Sequence, residues 1–189
     1  MKTSITYPEA FDLFNKYVKT EYLRKHMRET EMIMRRLANH FDKDEEFWGI
    51  TGLIHDLDLD IIGEDLHLHG YKAVELLKEE GYDLQEMYEA IISHTEGLTD
   101  AKRTTDFHYI LAAAENITGM ITAYVLILPD KKIEGVKVKS IKKRLKQLRF
   151  AASVNREFIY AIEKTGISLD EFIDISISAM QEIAEEIGM

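Results

Sequence analysis

The stretch GLIHDLDLD, residues 52–60, places a dense acidic cluster at the end of an apolar run. His55 and Asp56 stand side by side after three apolar or small residues of this stretch, and two more aspartates follow at alternate positions. A buried segment that ends in charged side chains is costly unless a partner compensates the charge. The stretch therefore predicts a helix end that delivers His55 and Asp56 into a pocket, as the floor of a metal site rather than a surface turn.

The composition suits one globular domain. The chain has 189 residues, of which 46% are hydrophobic and 31% are charged, and a chain of this length buries a full core without cross-links. It has no cysteine, so disulfides and thiolate metal ligands are excluded, and any metal must be held by histidines and carboxylates. The N-terminus lacks the apolar core of a signal peptide. We therefore expect a cytoplasmic protein.

The longest apolar run, residues 110–128, is interrupted by Glu115 and Asn116. This interruption favours a buried core helix over a membrane span, so no membrane partner is expected. The net charge of −10 argues against general nucleic-acid binding. The charge is uneven, because residues 131–149 hold nine of the 24 lysines and arginines and only one acid.

The hydrophobic periodicity is helical along the whole chain, and alternating strand patterns are scarce. Ser168 and Glu171 have capping-box spacing, Ser140 is a candidate N-cap, and Gly81 and Gly166 suit helix ends. We expect a single domain over residues 1–189, with a core over about 20–128 and a C-terminal helical extension over about 138–187. The predicted helices span residues 8–18, 21–40, 44–56, 69–80, 84–95, 106–128, 140–149, 151–164 and 169–187.

Four polar side chains fall at the inward face or at the end of predicted helices. They are His26, His55, His94 and Glu115. One such residue alone is usually a satisfied core polar group, but four on four helices favour a shared site. Imidazoles and carboxylates suit Mn, Fe, Co, Ni or Zn, with Mg where oxygen ligands dominate. The sequence therefore predicts a divalent metal ion as cofactor.

Five segments occur in the order of a known family. The motifs KHMRETEMIMRRLA (25–38), WGITGLIHDLD (48–58), HGYKAVELLKEEGY (69–82), EAIISH (89–94) and AAENITGMITA (113–123) together resemble an uncharacterised subgroup of the HD-domain superfamily of metal-dependent phosphohydrolases. The resemblance covers roughly residues 20–180. It implies an all-α fold, an HD-domain helical bundle with a C-terminal helical extension.

The resemblance also implies a ligand set. Glu115 stands where the superfamily has an aspartate, and its extra methylene moves the carboxylate outward, so that the site must shift or bind weakly. The implied metal ligands are His26, His55, Asp56 and Glu115.

Two further histidines, His69 and His94, match residues that line the pocket in many members and would contact phosphate or hold a second metal. Thr95 stands where members with a firm two-metal site often have another histidine. The sequence therefore favours one metal over a permanent pair.

The implied activity is hydrolysis of a small phosphoester, with nucleotides among the candidates. Asp58 or Asp60 would position the water. Lys142, Lys146 and Arg156 would supply positive potential for the phosphorylated substrate, although a solvated basic face explains the two lysines equally well.

Three alternatives remain at this point. The first is a non-catalytic, metal-stabilised module for ligand binding or regulation, which the departure at Glu115 favours. The second is an oxygenase with a di-iron site. The third concerns assembly: Met and Phe positions in the last helices are candidates for a homodimer surface, and core packing explains them equally well.

Overall fold

Eleven α-helices and three short 3₁₀ turns make up the fold, and no β-strand forms. The computed structural model describes all residues 1–189. The all-helical structure confirms the predicted all-α class. The α-helices are α1 (Tyr7–Tyr17), α2 (Glu21–His40), α3 (Glu45–Ile54), α4 (Leu59–Ile62), α5 (Tyr71–Glu79), α6 (Gln85–Ser93), α7 (Asp106–Leu126), α8 (Val138–Leu145), α9 (Arg156–Tyr160), α10 (Leu169–Glu182) and α11 (Ala184–Ile187), and the 3₁₀ turns are Leu66–Leu68, Ile133–Gly135 and Ala161–Thr165.

Helix α2 lies at the centre of the bundle and packs against α3, α7 and α10. Its contact with α3 is close because Gly52 has no side chain. A Cβ at this position would lie 2.9 Å from the carbonyl oxygen of Thr30 and 3.0 Å from the backbone of Glu31. A larger residue would push α3 away from α2 one turn before His55. Gly52 therefore sets how near the end of α3 comes to the histidine on α2.

Two apolar cores lie on either side of α2. One joins α1, α3, α5 and α6, and the other joins α7 to the C-terminal helices. Phe172 and Met180 are fully buried in the second core, so core packing accounts for these two side chains. Helix α7 is long and apolar enough to cross a membrane by composition alone, but 56% of its most apolar 18-residue window is buried inside the structure. Its packing is that of a core helix.

Most of the predicted helix ends are confirmed. The hydroxyl of Ser168 accepts the N–H of Glu171 at the start of α10. Gly81 and Gly166 follow helical segments with φ of +89° and +92°, a conformation that favours glycine. Ser140 is not an N-cap, because α8 already begins at Val138.

The helix predicted over residues 151–164 begins only at Arg156, and its second half, from Ala161, is a 3₁₀ turn. The chain turns until Asn155, whose side chain accepts the N–H of Glu157 and starts the five-residue α9. The Arg156 guanidinium satisfies the carbonyl groups of this turn, so the backbone needs no helical hydrogen bonds there. The carbonyl acceptors belong to Leu145, Gln147, Phe150, Ala151 and Val154.

Candidate metal centre

Four histidine rings converge on the carboxylate of Asp56. The Nε2 atoms of His26 and His55 lie 3.4 Å and 3.3 Å from Oδ2 of Asp56. The Nε2 atoms of His69 and His94 both lie 3.3 Å from Oδ1. The five residues come from α2, the end of α3, the segment before α5 and the end of α6. Four separate segments thus form one cluster.

Two of the histidines use the same local arrangement. His55 and His94 each follow directly on a helix, α3 or α6, as its C-cap residue. In each, Nδ1 lies at hydrogen-bonding distance from the carbonyl oxygen three residues earlier, that of Gly52 or Ile91. A carbonyl oxygen only accepts, so Nδ1 carries the proton and Nε2 keeps its lone pair. This is the form of imidazole that binds a metal ion.

The other two histidines reach the same form through side chains. Nδ1 of His26 lies 2.9 Å from the hydroxyl of Thr118, which itself donates to the carbonyl oxygen of Glu115 and therefore accepts from the ring. Nδ1 of His69 donates to Oδ1 of Asp58 over 3.0 Å. In their neutral form all four rings therefore direct an Nε2 lone pair toward Asp56.

This arrangement leaves buried atoms without partners. Nε2 of His55 and Oδ1 of Asp56 are buried and make no hydrogen bond, and the Nε2 atoms of His69 and His94 lie 3.1 Å apart. Burial opposes the charged form of Asp56, yet the imidazoles in their protonated form, His55 foremost, hold the pKa of its carboxyl well below its usual range. Burial lowers the pKa of His94 to about 4, so this ring is neutral at pH 7. The buried carboxylate therefore needs a positive partner, either a proton on the imidazoles or a metal ion in its place.

The donor spacing fits metal ions. Two ligand atoms that are each about 2.1 Å from one ion lie about 3.0–3.4 Å apart for octahedral to tetrahedral angles. The contacts to Asp56 measure 3.3–3.4 Å, which is long for a hydrogen bond but within this range. The donors form two groups that share Asp56, one with His26 and His55 and the other with His69 and His94. The geometry therefore offers donors for two ions, where the sequence favoured one.

Glu115 lies outside both donor groups. It belongs to α7 and lines the same cavity, but its Oε1 contacts the side-chain amide of Asn116, the next residue in the helix. Burial raises the pKa of its carboxyl to about 8, and the charge of Asp56 adds to this. The structure thus does not bring the predicted fourth ligand together with the other three, because the longer side chain turns back toward its own helix.

Asp58 has no free oxygen with which to position a water. It is fully buried, with Oδ1 accepting from His69 and Oδ2 accepting the backbone N–H groups of Gly70 and Ala73 at 2.7 Å and 3.2 Å. These contacts orient the ring of His69 and begin α5. The structure therefore corrects the prediction that Asp58 is catalytic: it is a positioning residue.

Asp60 also has another role. Its carboxylate accepts the N–H groups of Lys19 and Thr20 and the hydroxyl of Thr20, at the start of α2. It satisfies free N–H groups at a helix N-terminus, where a negative charge is favourable. The prediction that Asp60 handles the catalytic water is wrong in this geometry.

The predicted phosphate-binding cations do not line the cavity. Lys142 pairs with Asp170, Lys146 is exposed on the surface, and the Arg156 guanidinium is taken up by backbone carbonyls. Of the two interpretations that the sequence left open for the basic residues of α8, the structure favours a solvated face over a basic mouth of the pocket. His69 and His94, by contrast, do lie at the cavity floor.

A cavity of about 1300 Å³ opens above the cluster. Glu29 lines its wall, one helical turn after His26, and its side chain is only 3% exposed. Sequence reasoning missed this residue, although its i, i+3 spacing from His26 was a usable signal. Four exposed apolar residues also line the cavity: Tyr22, Leu66, Leu98 and Leu126.

The Glu29→Gln variant is expected to be more stable than the wild type at pH 8 but not at pH 4. Burial raises the pKa of Glu29 to about 7 from its ordinary value of 4.5, with His26 and Thr122 acting in the opposite direction. The unfolded chain therefore loses this proton at a lower pH than the folded chain does. The free energy of unfolding falls as the pH rises from 4.5 through 7. The difference corresponds to at most about 3 kcal/mol in the free energy of unfolding. Denaturant unfolding of chelator-treated protein at both pH values measures it.

Glu31→Gln is the matched control, because Glu31 is equally buried on the same helix but pairs with Arg28 and Arg35. This variant is expected to lose stability at pH 8. Equal pH dependence of the wild type and Glu29→Gln would contradict the assigned pKa.

A family model described as HD domain matches residues 23–128 of the chain. The matched region begins three residues before His26 and ends two residues after α7, so it includes all five residues of the cluster. No curated protein and no solved structure matches the chain significantly.

Proposed function

The chain belongs to the HD-domain family, and on this premise we propose that it is a metal-dependent phosphohydrolase that acts on a small phosphoester. The observation that carries the proposal is the carboxylate of Asp56, shared by two pairs of histidines at the floor of a cavity. Such a cavity has room for a small organic phosphate.

We assign the donors as two sets. His26 and His55 would hold one divalent ion together with Asp56, and His69 and His94 would hold a second with the same carboxylate. A bound divalent ion would lower the pKa of a water molecule coordinated to it and would neutralise charge on a phosphoryl group. The chain fixes every imidazole through its Nδ1 atom, so the donors keep their orientation whether or not a ligand is present.

Metal content followed by a substrate screen tests the proposal. Protein purified without added metal is expected to carry divalent ions, up to two per chain, and to release phosphate from p-nitrophenyl phosphate or from a panel of nucleotides and sugar phosphates. Chelation is expected to remove the activity, and added Mn²⁺, Co²⁺ or Zn²⁺ to restore it. Bound metal without turnover of any phosphoester would instead support the non-catalytic regulatory module.

A second candidate is oxygenation at a di-iron centre, and the shared Asp56 favours it because such a centre needs two neighbouring ions. It is expected to give two irons per chain, a coloured protein and consumption of oxygen. Colourless, active protein with Mn or Zn would exclude it as the main activity.

The proposal extends to location and partners. We propose that the protein works in the cytoplasm on a small phosphorylated molecule. The net charge of −10 supports a small molecule over a nucleic acid as the partner, because an acidic protein is repelled by the nucleic-acid backbone.

A further inference from the structure

Glu29 is an acid that the fold buries without a cation. Its side chain lines the cavity, and its one hydrogen-bond partner is the hydroxyl of Thr122 on α7, which lies 3.3 Å from both carboxylate oxygens. A hydroxyl normally approaches an oxygen to about 2.7–2.8 Å, so this contact is long. An ionised carboxylate accepts about four hydrogen bonds, so Glu29 has acceptor capacity left toward the cavity.

The same helix shows how the fold treats an acid that it needs for stability. Glu31, two residues along α2, is 1% exposed and pairs with Arg28 and Arg35. Glu29 is 3% exposed and forms no ion pair. Burial without a cation raises the pKa of Glu29 to about 7, which opposes folding at neutral pH. Glu29 thus lowers the stability of the fold at neutral pH, as expected of a residue that serves in binding.

The rest of the cavity is poor in positive charge. Lys25 is the one lysine in its lining, no arginine lines it, and Lys25 pairs with Glu21 at 2.9 Å. Glu115 adds a further acidic side chain to the walls, whereas Glu96 pairs with Arg103. A diphosphate or triphosphate chain would lie along these carboxylates without a basic partner outside the floor. This favours a substrate with one phosphate group and a neutral or cationic remainder.

We propose that Glu29 and Thr122 form a recognition subsite for a hydrogen-bond donor, a hydroxyl or an ammonium group, on the alcohol part of a phosphate monoester. The inference rests on the proposed function, because it places the phosphate at the Asp56 cluster. Residues three apart on a helix have Cβ atoms about 5–6 Å apart, so Glu29 is within reach of a two- or three-carbon chain anchored near His26.

A matched set of phosphonates tests the subsite without turnover. Propylphosphonate, 3-hydroxypropylphosphonate and 3-aminopropylphosphonate differ only in the terminal donor, and their binding to Mn²⁺-loaded protein is measured by calorimetry. We expect at least one donor-bearing compound to bind about tenfold or more tightly than propylphosphonate, as for a hydrogen bond to a charged group. The stronger of the two identifies the donor as hydroxyl or ammonium.

Variants then assign the preference to the two residues. Glu29→Gln is expected to remove the advantage of the amino compound, and Thr122→Val to weaken the advantage of whichever donor binds. Glu79→Gln removes the same charge at an exposed position outside the cavity and is expected to keep the preference. Equal affinity of the three phosphonates for the wild type, or a preference that survives Glu29→Gln, would overturn the subsite.

The corresponding esters separate this inference from the proposed function. They are ethyl, 2-hydroxyethyl and 2-aminoethyl phosphate, and phosphate release gives kcat/KM for each. If the phosphonates are discriminated but no ester is hydrolysed, the subsite stands and the hydrolase does not. If all three esters are hydrolysed with equal kcat/KM and equal dependence on Glu29, the hydrolase stands and the subsite does not.

Discussion

The Asp56→Ala variant is expected to retain no divalent metal while keeping its helix content. Asp56 is the one residue common to both donor groups, so its removal leaves each group with two imidazoles. Loss of groups that merely support metal ligands costs 10–100-fold in affinity, so loss of a shared ligand is expected to cost more than about 100-fold. Metal analysis of the purified protein measures the stoichiometry, and far-ultraviolet circular dichroism measures the helix content.

Asp60→Asn is the control for this experiment. Asp60 is an acid of the same stretch, but it accepts hydrogen bonds from the start of α2 and contacts none of the histidines. Its variant is expected to keep the wild-type metal content. An unchanged metal content in Asp56→Ala would refute the metal centre. A loss of metal in Asp60→Asn would show that Asp60 belongs to the site.

The His94→Ala variant is expected to retain one ion per chain instead of two. His94 belongs to the second donor group alone, and the first group of His26, His55 and Asp56 stays complete. Activity that depends on both ions would fall with the second ion, whereas activity of a one-ion site would persist. Metal stoichiometry and phosphate release, measured on the same preparation, distinguish these cases.

His108→Ala provides the matched control, because His108 is a buried histidine of α7 that accepts the N–H of Thr104 and belongs to neither donor group. It is expected to keep both ions. A His94→Ala protein that still binds two ions, or that loses both, would contradict two separable donor sets.

Much of the fold follows from local sequence. The predicted bounds of α2 agree with the structure at both ends, because its apolar stripe and flanking residues are local signals. The start of the helix predicted over residues 151–164 was wrong, because the Arg156 guanidinium binds carbonyl groups that helical N–H groups would otherwise bind. Hydrophobic periodicity does not reveal a side chain that binds the backbone carbonyl groups in this way.

The site was predictable only in part. The apolar run before His55 and Asp56 and the helical positions of His26 and His94 are visible in the sequence, and the structure brings these residues together. Asp58 was misread, since its partners Gly70 and Ala73 lie on a later segment.

The distinction between Glu29 and Glu31 was accessible from the sequence only in part. Arg28 and Arg35 stand three residues before and four residues after Glu31, which is the spacing of ion pairs on one helix. Only the tertiary structure shows that Glu29 faces a cavity, because that depends on how the helices pack.

The Nδ1 contacts of the four rings have a consequence for how the protein acquires its ions. Each contact is made to the chain itself, and the rings reach each other only after α2, α3 and α6 have packed. An unfolded chain therefore offers no comparable chelate, so we expect metal binding at this site to follow folding instead of guiding it. Under the proposed function, the identity of the bound ion would then depend on which metal the folded protein meets.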